Sequence, residues 1–230
     1  MKYEGKTKVV EDIGNGLVLI RFKDDITAGD GEKHDVMNQK GAMCAEITAI
    51  TMDYLNKKGF PTHFIEFQPP RTLKAKKLTM FPLEVVVRFK RAGSFVRRYG
   101  GNEGEELSFP LVEFFIKDDE RHDPLVCTDH IILMNIATRE QVDKMAELAL
   151  DVAEALKEFF AKADYELWDM KFEFGVDELG KIILGDEISP DTLRLRKSGE
   201  IFDKDVYRRD LGDPMERYRE VLKACRAISS

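Results

Sequence analysis

Short apolar runs separated by glycine-bearing turns dominate the start of the chain. Residues 6–10 and 17–22 are two such runs, and Gly14-Asn-Gly16 lies between them. An Asn-Gly pair between apolar runs is a strong signal for a β-hairpin. The polar residues 24–33 that follow predict a mobile loop, and the spacing over residues 37–57 predicts a helix.

The middle of the chain adds two buried strands and a long helix. Val85-Val-Val87 and Leu111–Ile116 are continuous apolar runs of the kind found in strands. Thr138 and Gln141 fit a capping box, the reciprocal pair of side chains that closes a helix start. The helix that follows carries one apolar face, made of Val142, Met145, Ala149, Val152, Leu156 and Phe159.

The order of these elements, strands first and then strands mixed with long helices, predicts an α+β fold. We expect a small N-terminal sheet lobe over residues 1–80 and a larger α+β lobe over residues 81–230. The apolar content of 43% is enough for a packed core, which excludes a disordered chain.

Composition excludes several other classes of protein. Apolar runs such as Ile131–Met134 are too short to span a bilayer, and the N-terminus lacks an apolar signal region. We therefore expect a cytoplasmic protein without a membrane partner. The net charge of −7 disfavours a nucleic-acid partner. The widely spaced cysteines argue against a disulfide framework or a zinc site: they are Cys44, Cys127 and Cys225.

The basic residues are nevertheless clustered. They fall into three groups, at residues 74–77, 88–98 and 194–197. Local cationic groups in an acidic protein fit a small phosphorylated ligand better than a long polyanion. The alternative for any one group is a set of solvated surface side chains.

Two segments in the C-terminal third set carboxylates beside glycines on predicted strands. Within Lys171–Gly175, alternation places Lys171 and Glu173 on one face. The strand over residues 180–185 returns and ends at Asp186, so a turn between the two strands brings Glu173 close to Asp186. Paired carboxylates with a lysine nearby suit a divalent cation that carries nucleotide phosphates. The alternative is an amphipathic hairpin with a solvated acidic edge.

Two basic segments are candidates for nucleotide contacts. In Gly5-Lys-Thr-Lys8, a glycine permits close approach to phosphate and two alternating lysines can hold its oxygens, although the segment is not a Walker A loop. Residues 74–82 offer backbone edges to adenine, with Leu78 and Met80 to sandwich the ring. Each segment also has a plain alternative, a turn in the first case and a basic loop before core residues in the second.

Two further loops follow predicted strands. In Ala92–Arg98, the backbone of Gly93, the Ser94 hydroxyl and flanking arginines can bind a phosphate or a carboxylate. The alternative is a plain basic loop. Residues 117–124 crowd ionisable side chains after an apolar strand, where sites are commonly built, and Lys117 could neutralise a carboxylate that is being activated.

Four segments together resemble those of the SAICAR synthetases, the phosphoribosylaminoimidazole-succinocarboxamide synthases of purine biosynthesis. They are Tyr3–Lys8, Arg88–Arg98, Leu111–Pro124 and Lys171–Asp191. The last two resemble the family's signature stretches, and the resemblance covers nearly the whole chain. It implies a two-lobed α+β fold, with ATP in the cleft between an antiparallel-sheet lobe and a larger mixed lobe. It also implies a homodimer.

The resemblance implies an ATP-dependent ligation. The family joins L-aspartate to the carboxylate of CAIR, the carboxylated aminoimidazole ribonucleotide, while ATP becomes ADP and phosphate. Because a carboxylate is a poor acyl donor, ATP first converts it to an acyl phosphate, which the amine of aspartate then attacks. Charge neutralisation by Mg²⁺, lysine and arginine supports the phosphoryl transfer.

The resemblance also assigns roles to residues of this chain. It places the metal Mg²⁺ on Glu173 and Asp186. Residues that hold ATP phosphates or line the adenine pocket are Lys6, Lys8, Lys76, Leu78 and Met80. Residues for CAIR or the incoming amine are Arg88, Ser94, Arg98, Asp123 and Arg194. Catalytic residues near the phosphates and the reacting carboxylate are Lys117, Lys171 and Asp191.

Two rival functions share parts of this pattern. A small-molecule kinase on a related fold would need the same ATP and metal groups but no second amino-acid site. A non-catalytic nucleotide-binding regulator would tolerate the loss of metal ligands.

Overall fold

The computed structural model describes residues 2–229, with residue 30 described by its backbone alone. The helices are α1 (Lys40–Lys57), α2 (Ser94–Tyr99), α3 (Thr128–Leu133), α4 (Arg139–Ala161), α5 (Asp205–Arg208) and α6 (Pro214–Ser229). The strands are β1 (Lys2–Glu4), β2 (Lys8–Gly14), β3 (Leu17–Phe22), β4 (Asp25–Ala28), β5 (Lys33–Val36), β6 (Phe64–Gln68), β7 (Thr72–Lys76), β8 (Thr79–Met80), β9 (Leu83–Lys90), β10 (Glu106–Ile116), β11 (Leu125–Val126), β12 (Glu166–Phe172), β13 (Phe174–Val176), β14 (Ile182–Leu184), β15 (Leu193–Lys197) and β16 (Glu200–Ile201). This mixture confirms the predicted α+β class.

The N-terminal strands form one antiparallel sheet in the order β1-β2-β3-β7-β6. The β2–β3 hairpin confirms the prediction from the Asn-Gly pair, and Asn15 and Gly16 both have positive φ angles there. Strand β2 begins at Lys8, so Lys6 lies in the segment that precedes it. This sheet therefore presents the start of β2 and the residues before it at one edge of the large cleft described below.

Residues 24–33, predicted as a mobile loop, contain most of a two-stranded ribbon instead. Strands β4 and β5 pair there as an antiparallel ribbon around a 3-10 turn at Gly29–Gly31. The ribbon has its own anchors in the core: Ile26 is fully buried, and Asp24 accepts hydrogen bonds from the Gly41 backbone at 2.9 Å and from Arg71 at 3.2 Å. The partners Gly41 and Arg71 lie outside the segment, which is why its own polarity did not predict these contacts.

The larger sheet has the order β11-β10-β9-β12-β15-β16. Both predicted apolar strands are confirmed: residues 85–87 lie in β9, and residues 111–116 form the end of β10. Helix α4 covers this sheet. Its capping box between Thr138 and Gln141 is present, and every predicted apolar position of its inner face is buried. Helix α4 thus covers one face of the sheet, and the opposite face can line a site.

A small sheet in the order β14-β13-β8 contains the predicted carboxylate hairpin. The strand predicted over residues 171–175 is divided: β12 ends at Phe172, β13 begins at Phe174, and Glu173 lies between them. Strands β13 and β14 pair from Phe174 opposite Leu184, so Asp186 follows directly beyond the hairpin. The Glu173 carbonyl accepts the Gly185 amide at 2.9 Å, which ties the two carboxylate positions together.

One continuous apolar core contains residues from both large sheets and from helices α1, α4 and α6. The division into lobes at residue 80 stays a prediction. Within residues 2–229, no helix is long and apolar enough to cross a membrane.

Candidate active site

A cleft of about 900 Å³ opens between the N-terminal sheet and the larger sheet. It brings together most of the residues predicted for the site from sequence. Those that line it are Lys6, Lys8, Arg88, Ser94, Arg98, Lys117, Asp123, Lys171, Glu173, Asp186, Asp191 and Arg194.

The three residues predicted for the adenine pocket, Lys76, Leu78 and Met80, do not line this cleft. Leu78 and Met80 instead pack next to Gly175 and Gly185, the two glycines of the β13–β14 hairpin region. A Cβ at Gly175 would lie 2.9 Å from Leu78 Cβ and 3.0 Å from Met80 Sδ, and a Cβ at Gly185 would lie 3.0 Å from Met80 Cε. Their assignment to adenine therefore stays a prediction.

Glu173 lies between two lysines from different strands. Lys117 Nζ, just beyond β10, is 2.5 Å from Glu173 Oε2, and Lys171 Nζ, on β12, is 3.0 Å from Glu173 Oε1. Lys171 also reaches Glu84 at 2.8 Å. Burial raises the pKa of Glu173, but the attraction of Lys171 and Lys117 outweighs it and holds that pKa at about 2. Glu173 is therefore a carboxylate at neutral pH although it is only 6% exposed.

Asp186 and Glu187 share a third lysine. Lys8 Nζ forms an ion pair with Asp186 and lies 2.8 Å from Glu187 Oε1. Burial raises the pKa of Asp186, and repulsion from Glu173 adds to that shift while Lys8 opposes it. Glu173 and Asp186 both line the cleft, so the two carboxylates face the same volume. The predicted convergence of these two carboxylates is thus present.

The charges around this volume fit a cation that arrives with phosphates. Glu173, Asp186 and Glu187 supply oxygen ligands, which Mg²⁺ prefers. Lys8, Lys117 and Lys171 already pair with these carboxylates, so a bare dication gains little there. A magnesium–nucleotide complex carries net negative charge, and the same lysines can then turn to its phosphate oxygens. Glu173 and Asp186 would hold the metal.

A second cluster of side chains that could bind a metal already contains a cation of the protein, Lys40. Cys44, Glu187 and Asp191 have ligand atoms within 4.8 Å of one another. Burial raises the pKa of the Cys44 thiol, so the thiol is neutral. The Lys40 ammonium lies 2.5 Å from Asp191 Oδ2 and occupies the place of a cation. This group is a buried ionic cluster.

The prediction of a loop over residues 92–98 is wrong for most of the segment, because helix α2 begins at Ser94. The arginines at and around this short helix belong to a buried charge network. Arg88, at 2% exposure, donates to Glu113 Oε2 at 2.6 Å and to Asp169 Oδ2 at 2.5 Å. A further nitrogen of the Arg88 guanidinium donates to Ser94 Oγ at 2.9 Å, and Arg98 donates to Glu113 Oε1 at 2.6 Å. Arg88 thus holds the serine in place, and the Ser94 hydroxyl marks the cleft end of the network.

Arg194, on β15, lies next to Gly93, the residue that precedes α2. Its guanidinium is 2.9 Å from both Asp169 Oδ2 and Asp205 Oδ2. Burial opposes its charge, but the attraction of Asp169 and then Asp205 raises the pKa of Arg194 further, so it is always a cation. Gly93 gives it room. Ser94 and Arg194 thus place a hydroxyl and a permanent cation in the cleft, at its predicted anion-binding end.

Asp191 and Asp123 make contacts within the protein. Asp191 accepts the Tyr218 hydroxyl at 2.6 Å and pairs with Lys40; burial opposes its charge, but Lys40 lowers the pKa of Asp191 well below its usual range. Asp123 accepts the backbone amide of Asp118 at 2.7 Å, which shapes the loop after β10. Lys6 reaches that loop through an ion pair of 2.7 Å with Asp119.

Sequence reasoning missed several charged residues of the cleft. Glu187 follows Asp186 directly, so its place in the sequence could have found it. Asp169 alternates with Lys171 on β12, so the strand period could have found it as well. Lys204 and Arg208 lie next to a short helix that offered no such pattern.

Comparison with known proteins identifies the relatives of this chain. The family model described as SAICAR synthetase matches residues 1–225. The phosphoribosylaminoimidazole-succinocarboxamide synthase of Thermotoga maritima is 66% identical over 230 residues, which is 100% of both chains. The synthase of the same name from Methanocaldococcus jannaschii is 45% identical over 96% of this chain and 92% of its own length.

A solved structure described as SAICAR synthetase (Type-2) in complex with ADP has a TM-score of 0.95 to this chain. It is 41% identical, and the match covers 98% of this chain and 97% of the other. The agreement in fold thus extends over the whole cleft and both sheets.

The buried imidazole beside Asp186 predicts a specific pH dependence of stability. His63 Nε2 lies 3.1 Å from the Asp186 carbonyl, and burial, followed by repulsion from Lys8, lowers the pKa of His63 from 6.5 to about 4. The folded state therefore resists protonation, and the unfolded state takes up the proton first as the pH falls. Between about pH 7.5 and about pH 5, this residue should cost the wild-type chain roughly 2 kcal/mol of unfolding free energy.

Urea unfolding of the wild type and of His63→Gln at both pH values measures this cost. The loss should be smaller in the variant by about that amount, since glutamine does not titrate. Equal losses in the two proteins would contradict the assignment.

Proposed function

This chain belongs to the SAICAR synthetase family, and we propose that its cleft joins L-aspartate to the carboxylate of CAIR, with ATP converted to ADP and phosphate. One observation carries the proposal. A cluster of carboxylates pairs with Lys8, Lys117 and Lys171. This cluster lines the same cleft as the anion-binding end at Ser94 and Arg194. The first suits a magnesium nucleotide, and the second suits the phosphate of a ribonucleotide.

We propose that the reaction takes two chemical steps. In the first, the CAIR carboxylate attacks the γ-phosphorus of ATP, the bond to ADP breaks, and an acyl phosphate forms. In the second, the neutral amine of L-aspartate attacks the acyl carbon, phosphate leaves with the bonding electrons, and the amine loses a proton. When bound, Mg²⁺ supplies charge neutralisation to the polyphosphate.

The residues of the cleft divide this work. Lys8 and Lys171 would bind phosphate oxygens once a nucleotide enters, because each then exchanges a carboxylate for a phosphate partner. Lys117, at the end of β10, would lie by the carboxylate under attack and stabilise the charge that develops there. Lys6 would cover the phosphates from the segment before β2. Asp191 would meet a substrate hydroxyl or the incoming amine.

The remaining predictions concern position and assembly. We propose that Lys76, Leu78 and Met80 lie next to the adenine ring, outside the phosphate-lined cleft. The N-terminal lobe, residues 1–80, would cover ATP, and residues 81–230 would carry the metal and substrates. Arg88, Ser94 and Arg194 would bind CAIR, chiefly its phosphate, with Arg98 beside them. Asp123 would meet a substrate hydroxyl or the incoming amine. We further propose that the chain works as a homodimer.

The dependence of ADP release on aspartate tests the function. With CAIR and Mg·ATP, the chain should produce SAICAR and ADP in equal amounts only when L-aspartate is present. A stable phosphorylated product without aspartate would indicate a small-molecule kinase instead. Nucleotide binding without turnover under either condition would indicate a regulatory protein.

Removal of the proposed metal ligands should abolish turnover while preserving the fold. Glu173→Gln and Asp186→Asn keep the side-chain shape and remove the charge, so kcat should fall by at least ~100-fold. Thermal unfolding measured alongside shows whether the fold survives. Glu178→Gln, in the exposed turn of the same hairpin, is the matched control and should retain full activity. Normal kcat in either ligand variant would refute the metal assignment.

Changes at the anion-binding end should affect CAIR more than ATP. Ser94→Ala removes one hydroxyl, and we expect the KM for CAIR to rise about 10-fold while the KM for ATP stays within about 2-fold. Arg194→Ala should have a larger effect in the same direction. Since Arg194 balances buried carboxylates, Arg194→Lys is the variant that keeps a charge there. An unchanged KM for CAIR in Ser94→Ala and in both arginine variants would show that the phosphate binds elsewhere.

A further inference from the structure

The Asp191 carboxylate is held from behind the cleft by two buried side chains. Tyr218, on helix α6, donates its hydroxyl to Asp191 Oδ1 at 2.6 Å. Lys40, the first residue of helix α1, places its ammonium 2.5 Å from Asp191 Oδ2. Tyr218 is fully buried and Lys40 is 1% exposed, whereas Asp191 itself lines the cleft. Both oxygens of one cleft residue are thus in contact with groups from the interior of the protein.

Tyr218 lies on the apolar face of helix α6. The buried residues of this face follow the spacing of a single helical stripe, and they include Met215, Tyr218, Val221, Leu222 and Cys225. Phenylalanine would fill such a position with the same ring, so packing alone does not require the phenolic hydroxyl. The polar partner that the fold gives this hydroxyl is the carboxylate of Asp191.

The polar contact is not needed to join the helices α1 and α6. Both helices contribute side chains to the continuous apolar core, among them Met43 and Ile47 of α1 and Val221 and Leu222 of α6. Burial of apolar surface attaches the two helices without a charged group. A buried ion pair, by contrast, has a desolvation cost, and its replacement by apolar side chains is often neutral or stabilising. The contacts of Asp191 therefore point to a use other than attachment.

The backbone of Asp191 is also held in place. Its amide donates to Ser189 Oγ at 3.2 Å, and that hydroxyl donates to Glu187 Oε2 at 2.6 Å. Burial, followed by the charge of Asp191, raises the pKa of Tyr218 well above its usual value, so the phenol stays a hydrogen-bond donor. With the backbone fixed, the contacts to Tyr218 and Lys40 hold the carboxylate in a single orientation.

We infer that Tyr218 and Lys40 are positioning residues, which fix the orientation of the Asp191 carboxylate towards the substrates. The inference rests on the proposed function, in which Asp191 meets a substrate hydroxyl or the incoming amine. A carboxylate that accepts such a group must keep lone pairs directed into the cleft, and a small displacement of a positioned group lowers the rate strongly. Through Tyr218, helix α6 takes part in the reaction without touching a substrate.

A double-mutant cycle in kcat tests the inference. Tyr218→Phe removes the hydroxyl and keeps the ring, so kcat should fall about 10-fold while the KM for ATP stays within about 2-fold. Asp191→Asn should lower kcat further than Tyr218→Phe does. In the Asp191→Asn background, Tyr218→Phe should change kcat by less than about 2-fold, because the carboxylate that Tyr218 positions is absent there.

Tyr54→Phe is the matched control. The Tyr54 hydroxyl donates to the Ala155 carbonyl at 3.3 Å, between helices α1 and α4, so this change also removes a hydrogen-bonded phenol. Tyr54→Phe should keep the wild-type kcat, and thermal unfolding of each variant records its loss of stability. A fall in kcat in both tyrosine variants, in proportion to that loss, would indicate a purely structural role and overturn the inference.

Asp191→Glu tests orientation without a change at Tyr218. It keeps the charge and moves the carboxylate by one methylene, so kcat should fall at least ~10-fold. Wild-type kcat in Asp191→Glu would show that the reaction does not need a fixed carboxylate. This measurement overturns the inference in that case even if Tyr218→Phe fails to fold.

The outcomes separate this inference from the function on which it rests. If the wild type forms no SAICAR from CAIR, L-aspartate and Mg·ATP, the proposed function is wrong and the inference falls with it. If the wild type forms SAICAR but Tyr218→Phe keeps the wild-type kcat, only the inference is wrong. Losses that multiply in the double variant would show that Tyr218 acts independently of Asp191, which also contradicts it.

Discussion

The burial of carboxylates against lysines from distant parts of the chain is the constraint on which this cleft depends. Lys8 comes from the N-terminal sheet, Lys117 from the end of β10 and Lys171 from β12, and all three converge on the residues around the β13–β14 hairpin. A buried carboxylate without a partner is costly, so the folded chain must bring these elements together. The same attractions keep the buried Glu173 ionised.

The same lysines and carboxylates thus serve both the stability of the fold and the proposed chemistry. In the free protein, the lysines balance carboxylates. With a nucleotide bound, they would have phosphates to bind, and a metal could take their place on the carboxylates. The site is therefore organised in advance, because the charged side chains are already held near their working positions. The ion pairs therefore connect the two sheets, and they also keep the ligand-binding side chains in position while the site is empty.

Sequence reasoning reached the elements whose signals are local. The Asn-Gly hairpin, the capping box at Thr138 and the valine run of β9 depend on neighbouring residues, and each was found. The approach of Asp186 to Glu173 also followed from one hairpin. Contacts that depend on the whole chain could not be found this way. Lys8 and Asp186 are separated by 178 positions, and the anchors of the β4–β5 ribbon at Gly41 and Arg71 lie outside its sequence.

Gly93 shows how a missing side chain can define a binding site. Its φ of 53° and ψ of −124° belong to a region open to glycine alone, and a Cβ there would lie 2.7 Å from the central carbon of the Arg194 guanidinium. The guanidinium of Arg194 occupies the space that a side chain at position 93 would need. Even alanine at this position would distort the turn and displace a permanent charge at once, so tolerance to substitution should be lower here than at residues that make many more contacts.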